Sequence, residues 1–268
     1  MTLSSKDNLR NLLIRFGYNT KPNFMIVGAQ KAGTTSLHGS LVTHSFIKSA
    51  AQKELHFFDD DNFDSKHLTD YLSHFPLPHN VNKGTIYFEA TPDYLYHPDA
   101  ARRLYDFDKT LKLIVVLRQP SYRALSAWIM HHVHFKNSKY HTQFDPRSFT
   151  KAIEEELNTL HERSIFKSER SYIKRGLYAE QLEQYYKYFP VDNILILESN
   201  ALKNEFESTS IEIQEFLELP IQSLRPKALN KSALDKTSEY KRDLEFLNSF
   251  YEPENERLFS LIGRRFEW

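Results

Sequence analysis

The segment Phe24–Ser36 constrains the fold most, because it has the pattern of a buried strand, a glycine loop and the start of a helix. Its sequence is Phe-Met-Ile-Val-Gly-Ala-Gln-Lys-Ala-Gly-Thr-Thr-Ser, with Gly28 and Gly33 five positions apart. Such a loop directs backbone N–H groups at a phosphate, and the helix N-terminus adds the positive end of its dipole. The segment therefore predicts an anion-binding turn. An ordinary β–α turn, in which the glycines only permit close packing, is the alternative.

Other apolar, β-branched runs predict a parallel sheet around this strand. We predict buried strands at Thr85–Phe88, Leu113–Leu117 and Ile194–Leu197, with Phe46–Lys48 as a weaker candidate. Helical patterns lie before, between and after the strands: Asp7–Phe16, Thr35–His44, Pro98–Phe107, Pro120–Phe135, Phe149–Leu160, Leu177–Phe189, Ser208–Leu217 and Tyr240–Gly263. This alternation predicts an α/β fold, a P-loop-like parallel β-sheet with helices on both faces. Ligands of such sheets bind at the carboxyl ends of the strands.

Composition restricts the class of protein further. Hydrophobic residues make up 40% of the chain and charged residues 26%, which indicates a globular protein and not a disordered one. Equal numbers of basic and acidic residues, 35 each, disfavour a protein that coats nucleic acid. The chain has no cysteine, which excludes a disulfide framework, a thiolate zinc site and a cysteine nucleophile.

We see no internal repeat and no long linker in the sequence. Residues 1–20 are therefore predicted to be a lead-in with one short helix, and residues 21–268 a single domain. The N-terminus has no apolar run of signal-peptide length, and the run Leu113–Leu117 is far too short to cross a bilayer. We accordingly expect a cytoplasmic protein without a transmembrane segment.

A second candidate site follows the strand Leu113–Leu117. Arg118 is placed at its carboxyl end, and Ser126 lies eight residues later in the next predicted helix. An arginine and a hydroxyl together can hold a phosphate through hydrogen bonds. A strand-end arginine in a surface ion pair is the alternative. Arg123, between them, is predicted to be a solvated or ion-paired residue of the helix.

A third candidate is the segment Lys-Glu-Leu-His-Phe-Phe-Asp, which contains Lys53, Glu54, His56 and Asp59. Taken alone, it predicts a charged turn followed by aromatic residues that anchor it to the rest of the protein. Its place in the chain, between the first and second firm strands, puts it beside the glycine loop. His131, His132 and His134 do not have helical metal-ligand spacing, since consecutive residues of a helix point in different directions, and we predict no metal site.

Together these motifs resemble the sulfotransferases that use 3′-phosphoadenosine 5′-phosphosulfate (PAPS). The run Gly-x-x-Lys-x-Gly-Thr-Thr resembles their 5′-phosphosulfate loop, and Arg118 with Ser126 resembles their 3′-phosphate motif. The segment Lys53–Asp59 resembles the catalytic segment of the heparan sulfate sulfotransferase branch and its bacterial relatives. The resemblance covers roughly residues 21–268. Ala90 departs from it, because members that modify glycosaminoglycans carry a lysine there; this puts a heparan-like polyanionic acceptor in doubt.

The resemblance implies transfer of a sulfuryl group from PAPS to an acceptor hydroxyl, or to an amine, of a saccharide or another small hydroxylated molecule. Lys31 would neutralise charge on the leaving group, Glu54 would be the general base, and His56 would orient Glu54 or the acceptor. The implied acceptor-binding residues are Lys53, His56 and Asp59. The implied cofactor-binding residues are Lys31, Ala32, Gly33, Thr34, Thr35, Ser36, Arg118, Ser126 and, in a basic lid, Lys231.

Two other functions remain open at this point. A P-loop nucleotide kinase or hydrolase would need a lysine directly after Gly33 and a magnesium-binding carboxylate at a strand end; Thr34 follows Gly33 instead. A catalytically silent glycan-binding relative is the other possibility, and the intact Lys31 and Glu54 argue against it. The sulfotransferase scheme itself requires no metal ion, because a sulfuryl group carries less charge than a phosphoryl group.

Overall fold

The computed structural model describes residues 5–160, 170–227 and 238–268 of the 268-residue chain. Its strands are β1 Phe24–Gly28, β2 Ile47–Ser49, β3 Ile86–Ala90, β4 Lys112–Leu117 and β5 Ile194–Glu198. They form one sheet in the order β2-β3-β1-β4-β5, and every neighbouring pair is parallel. The predicted α/β fold with a parallel sheet flanked by helices is confirmed.

The central strand β1 is buried along its whole length. Phe24 is in register with Phe88 of β3 on one side and with Lys112 of β4 on the other. A strand covered on both faces must be apolar throughout, which explains its run of large aliphatic and aromatic side chains. Because β3 and β4 flank β1, the segments that follow all three strands meet at one edge of the sheet.

The helices of the described ranges are α1 Ser5–Arg15, α2 Thr34–Leu41, α3 Leu68–Leu72, α4 Ala100–Phe107, α5 Pro120–Ile129, α6 Phe149–Asn158, α7 Tyr178–Tyr186, α8 Ser199–Asn204, α9 Phe206–Phe216 and α10 Lys241–Ile262. Each predicted helix is present, and apart from α5 the ends differ by at most three residues. The sequence prediction missed α3 and α8, because five or six residues are too few to show a helical period.

The helix predicted as Pro120–Phe135 is regular only to Ile129, and a π-helix, Met130–His134, continues it. The Nδ1 atoms of His131 and His132 lie 3.0 and 2.8 Å from the carbonyl oxygens of Gln143 and Asp145. These tertiary hydrogen bonds hold the wider turn, which local sequence patterns do not reveal. Short π-helical turns often occur at functional sites.

The lead-in helix α1 packs on the rest of the molecule. Ile14 is buried in the main core, and Arg10 donates two hydrogen bonds of 2.7 Å to the carbonyl oxygens of Ser73 and Phe75. Its separation from the domain at residues 21–268 stays a prediction. No helix within the described ranges combines the length and the apolar character that crossing a membrane requires. The cytoplasmic location also stays a prediction.

Candidate active site

The loop after β1 has a geometry that depends on both of its glycines. A Cβ atom on Gly28 would lie 2.5 Å from Cβ of Leu95, which leaves no room for a side chain. Gly33 has φ 105°, in the left-handed region that glycine adopts without steric cost, and immediately precedes α2. The first backbone N–H groups of a helix have no acceptor within the helix. The loop therefore ends in unpaired donors, as an anion site requires.

The other residues predicted for this loop differ in exposure. Ala32 and Thr34 are buried, Ser36 is half-buried, and Thr35 is exposed. Buried residues contribute to a ligand site mainly through the backbone, whereas exposed or half-buried hydroxyls can also donate from the side chain. The predicted roles of these four residues are compatible with their positions and stay predictions.

Lys31 is half-buried in the loop, and its Nζ atom lies 3.6 Å from Sδ of Met130, the first residue of the π-helix. Burial lowers the pKa of Lys31, and the positive charges of Arg118 and Arg123 lower it further, whereas Glu54 raises it. Among the described residues, no carboxylate forms an ion pair with Lys31. A half-buried ammonium group without a partner anion is suited to bind one from solution.

Arg118 comes together with Lys31 as predicted from their strand ends. Its Nη1 atom donates a hydrogen bond of 3.1 Å to the carbonyl oxygen of Lys31, and burial lowers the pKa of Arg118. Tyr178 donates a hydrogen bond of 2.9 Å to the carbonyl oxygen of Arg118. Ser126 lies half-buried in α5, and its role stays a prediction. The predicted lid residue Lys231 lies outside the described residues.

The prediction for Arg123 is wrong. Its side chain is completely buried, and Nη2 donates to the carbonyl oxygen of Tyr172. The positive charge of Arg123 lowers the pKa values of both Lys31 and Arg118, so three cations act on one another at the loop. The nearly continuous apolar character of α5 was the available signal, because a helix that is apolar all round has no solvated face.

Three of the predicted catalytic residues have unusual backbone conformations. Lys31, Glu54 and His56 have φ values of 67°, 60° and 52°, and Glu218 is the fourth non-glycine residue of the described chain in the left-handed region. Such conformations cost about 1–3 kcal/mol each and cluster at active sites. The surrounding structure therefore has to hold Glu54 and His56 in place.

Backbone hydrogen bonds tie this segment to the carboxyl end of β3. Glu54 N–H donates to the carbonyl oxygen of Ala90 at 3.1 Å, and Leu55 N–H lies 3.4 Å from Oε1 of Glu89. Since β3 is next to β1, the segment lies beside the glycine loop, as predicted. The side chain of Glu54 is exposed and paired with Lys53, and its charge acts on Lys31.

His56 belongs to a network of charged groups. Its Nδ1 atom lies 2.8 Å from Oδ2 of Asp59, and this hydrogen bond raises the pKa of His56 to about 9. Asp93 pairs with Arg175, and one ligand atom from each of His56, Asp59 and Asp93 lies within 4.8 Å of the others. Hydrogen bonds and ion pairs within the protein link these groups, and the absence of a metal site stays a prediction.

The protonation of His56 predicts a pH dependence of stability. Its pKa is about 9 in the folded protein and 6.5 ordinarily, so its stabilising contribution is complete below pH 6.5 and is lost as pH rises through 9. The ring is half exposed, and solvent screening reduces the contribution to about 1 kcal/mol or less. We expect urea unfolding of His56→Gln to show this deficit at about pH 6 and none above about pH 9.5. A deficit of equal size at both pH values would contradict the assignment.

The sequence analysis missed Glu89, which is 1% exposed in β3. Burial raises the pKa of Glu89 to about 7, although hydrogen bonds from Thr91, Tyr94 and Leu55 oppose the increase. Its Oε2 atom has no hydrogen-bond partner among the described residues. An acidic residue inside an otherwise apolar strand was the signal, because buried carboxylates are rare unless they are paired.

Comparisons with known proteins identify the family to which the chain belongs. The model of the family described as "Sulfotransferase domain" matches residues 21–261. Heparan sulfate glucosamine 3-O-sulfotransferase 5 of Mus musculus is 27% identical over 74% of this chain and 54% of its own length. Bifunctional heparan sulfate N-deacetylase/N-sulfotransferase 3 of Homo sapiens is 29% identical over 73% of this chain and 22% of its own length.

A solved structure is similar over nearly the whole chain. The sulfotransferase from Alicyclobacillus acidocaldarius superposes with a TM-score of 0.72 and 26% identity, over 92% of this chain and 98% of that one. This chain spans about half the length, or less, of the two curated relatives named above. The family model nevertheless covers the glycine loop, the Glu54 segment and the Arg118 strand end, and this chain belongs to the sulfotransferase domain family.

Proposed function

We propose that this protein transfers the sulfuryl group of PAPS to an acceptor hydroxyl, with an amine as the second choice. The placement of Lys31 and Glu54 carries the proposal. Lys31 lies in the loop after β1, and Glu54 is bound to the end of β3, the neighbouring strand. Both residues have left-handed backbone conformations, and the charge of Glu54 raises the pKa of Lys31. A cation and a carboxylate on opposite sides of a transferred group are the elements that in-line transfer needs.

The donor fits the residues of the site. PAPS would supply the sulfuryl group and a leaving group on which negative charge develops. Lys31, Arg118 and Arg123 crowd positive charge at the loop, and no carboxylate of the described residues pairs with Lys31 or Arg118. This charge suits a ligand that carries several anionic groups. We assign the 5′ end of the donor to residues 31–36 and the 3′-phosphate to Arg118, Ser126 and the lid residue Lys231.

The reaction assigns a separate task to each residue around the acceptor. Lys31 neutralises charge on the leaving oxygen as it develops, which lowers the barrier more than it tightens ground-state binding. Glu54 accepts the proton of the acceptor hydroxyl. His56, protonated below about pH 9, cannot accept that proton and donates hydrogen bonds to the acceptor or to Glu54. Lys53 and Asp59 complete the acceptor side.

The acceptor we favour is a saccharide or small hydroxylated molecule with little negative charge. The first curated relatives are named for heparan sulfate, a polyanion. This chain has the buried Ala90 where the glycosaminoglycan-modifying branch carries a lysine. Its nearby cations are already engaged, since Lys53 pairs with Glu54 and Arg175 with Asp93. Lys53 and Arg175, two described cations on the acceptor side, are then not free to bind a polyanionic acceptor.

Transfer of ³⁵S from labelled PAPS tests the function directly. We expect labelled product with neutral oligosaccharides or simple alcohols, and in the presence of EDTA, because no step above requires a metal ion. Label from γ-³²P-ATP that reaches the acceptors only with Mg²⁺ would support the kinase alternative. Binding of 3′-phosphoadenosine 5′-phosphate (PAP) without transfer to any acceptor tested would support the catalytically silent alternative.

Donor recognition gives a prediction about Arg118. PAP is expected to raise the melting temperature and AMP to do so much less at equal concentration, since a ligand stabilises the state that binds it. Arg118→Ala should weaken PAP binding by about 1.5–3 kcal/mol, the range for hydrogen bonds to charged groups. Arg102→Ala, a change at an exposed arginine of α4, is the matched control. Equal shifts with PAP and AMP would remove the 3′-phosphate assignment.

A further inference from the structure

The carboxyl group of Glu89 is buried directly beneath the segment that carries Glu54 and His56. Oε1 of Glu89 accepts a hydrogen bond from the hydroxyl of Thr91 and lies 3.4 Å from the backbone nitrogen of Leu55. The next residue of β3, Ala90, accepts the N–H of Glu54 through its carbonyl oxygen. Glu89 and its neighbour thus bind two successive N–H groups of the segment.

Tyr94 binds the segment on the other side of His56. The hydroxyl oxygen of Tyr94 accepts the N–H of Phe57 at 3.2 Å, and the charge of the nearby Glu89 raises the pKa of Tyr94. The N–H groups of Leu55 and Phe57, which flank His56, are therefore bound by Glu89 and by its neighbour Tyr94. The backbone of His56 is left-handed, and these contacts hold it from both sides.

We propose that the ionised carboxylate of Glu89 is a positioning residue, which holds Glu54 and His56 in the left-handed conformations that sulfuryl transfer requires. The inference rests on the proposed function, since it concerns the geometry of the proposed base. Glu89 itself touches neither donor nor acceptor in this scheme. A carboxylate suits the task because, when ionised, it only accepts hydrogen bonds, and the groups around it are donors.

The position of Glu89 makes this anchor dependent on pH. Burial raises its pKa to about 7, and the negative charge of Asp59 adds to the increase. Among the described residues, Tyr71 and Tyr94 also act on it electrostatically, and their own pKa values are raised well above the ordinary value. The ordinary pKa of a glutamate is 4.5, so the folded protein loses stability as pH rises from 4.5 through 7 and the buried carboxyl group of Glu89 ionises. The carboxylate that positions the segment also destabilises the fold.

Ionised Glu89 is therefore expected to raise kcat and to lower the melting temperature, and one variant can test both effects. At about pH 8, Glu89→Gln should lower kcat about 10-fold, the size expected for losing hydrogen bonds to a charged group, and should leave PAP affinity unchanged. The variant should also melt at a temperature equal to or higher than the wild type. In the wild type, the acidic limb of kcat against pH should have a midpoint near 7, and Glu89→Gln should lack it. Loss of both kcat and melting temperature, or an unchanged kcat, would overturn the proposal.

Two tyrosines provide matched controls. Tyr94→Phe removes the hydroxyl that receives Phe57 N–H and should lower kcat in the same direction as Glu89→Gln. Tyr71→Phe removes another buried hydroxyl near Glu89, one without a hydrogen-bond partner among the described residues, and should leave kcat unchanged. An equal loss of kcat in Tyr71→Phe would assign the effect to general packing and overturn the proposal.

Amide hydrogen exchange separates this inference from the proposed function, because it requires no turnover. In Glu89→Gln, the amides of residues 54–57 should exchange about 10-fold faster than in the wild type, by the same reasoning about lost hydrogen bonds. Exchange in β1 should not change. If the amides of residues 54–57 exchange faster in Glu89→Gln but the wild type transfers no sulfuryl group, the positioning role of Glu89 is supported and the proposed function is contradicted. Unchanged exchange at residues 54–57 would reject the anchor.

Discussion

Glu54→Gln is expected to lower turnover about 10²–10⁴-fold, the usual contribution of a general base. Glutamine keeps the shape of the side chain and its ability to form hydrogen bonds, but it cannot take a proton at this position. The backbone of Glu54 is anchored to Ala90 through its own N–H group, so the substitution should not release the segment. PAP affinity should be unchanged, because Glu54 has no proposed contact with the nucleotide. Steady-state kinetics with ³⁵S-labelled PAPS and PAP thermal shifts measure the two quantities.

A surface ion pair is the competing explanation of Glu54, since its carboxylate pairs with Lys53 and is exposed. Exposed pairs contribute about 0–1 kcal/mol to stability, so this explanation predicts nearly normal turnover in Glu54→Gln. Glu245→Gln is the matched control, because Glu245 pairs with Lys241 on the exposed face of α10. Lys53→Ala tests the pair from its other side and should cost much less turnover than Glu54→Gln. Similar turnover in Glu54→Gln and Glu245→Gln would decide for the surface pair.

The raised pKa of His56 bears on the same choice. If Glu54 were not the base, His56 would be the next candidate by position. However, its hydrogen bond to Asp59 raises the pKa of His56 to about 9, which keeps the ring protonated near neutral pH. A protonated imidazole donates and does not accept a proton. The raised pKa of His56 therefore argues against this second candidate, and the assignment of Glu54 as the base stays a prediction.

The part of the site that local sequence could predict is the part built from one contiguous segment. Strand β1, the loop from Gly28 to Gly33 and helix α2 follow each other directly, and glycine spacing and apolar runs are local signals. Arg118 was predictable for a related reason, because the carboxyl ends of adjacent parallel strands meet at one edge. Its contact with the carbonyl oxygen of Lys31 agrees with that rule.

The remaining site depends on contacts between distant residues. The hydrogen bonds that hold Glu54, Leu55 and Phe57 come from residues 34 to 37 positions away, and no periodic pattern announces them. Without those bonds, nothing in the sequence predicts left-handed backbones at Glu54 and His56. Arg123 illustrates the same limit, because its burial depends on the chain around Tyr172, which covers that face of α5. The proposed role of Glu89 can be inferred only from the folded structure, in which the segment that carries Glu54 and His56 lies over its carboxyl group.

Lys31→Ala is expected to reduce turnover about 10²–10³-fold, the typical loss when one group that stabilises transition-state charge is removed. The reason is the growth of negative charge on the leaving oxygen during transfer, next to an ammonium group with no carboxylate partner in the described chain. PAP affinity should fall less than turnover, because Lys31 is proposed to interact more strongly with the leaving oxygen in the transition state than with bound PAP. Single-turnover rates and PAP titrations measure the two effects separately.

The lowered pKa of Lys31 allows a structural defect to be distinguished from a catalytic one. Burial and two neighbouring arginines disfavour the charged form in the folded state, so the ammonium group costs stability at all pH values below its folded pKa. Lys31→Met, which keeps the length of the side chain, should therefore melt at a temperature no lower than the wild type while losing turnover as Lys31→Ala does. Lys31→Arg should retain PAP affinity because it keeps a positive charge. If turnover were retained in Lys31→Met and only the KM for PAPS rose, Lys31 would be a ground-state anchor, and another group would have to neutralise the leaving oxygen.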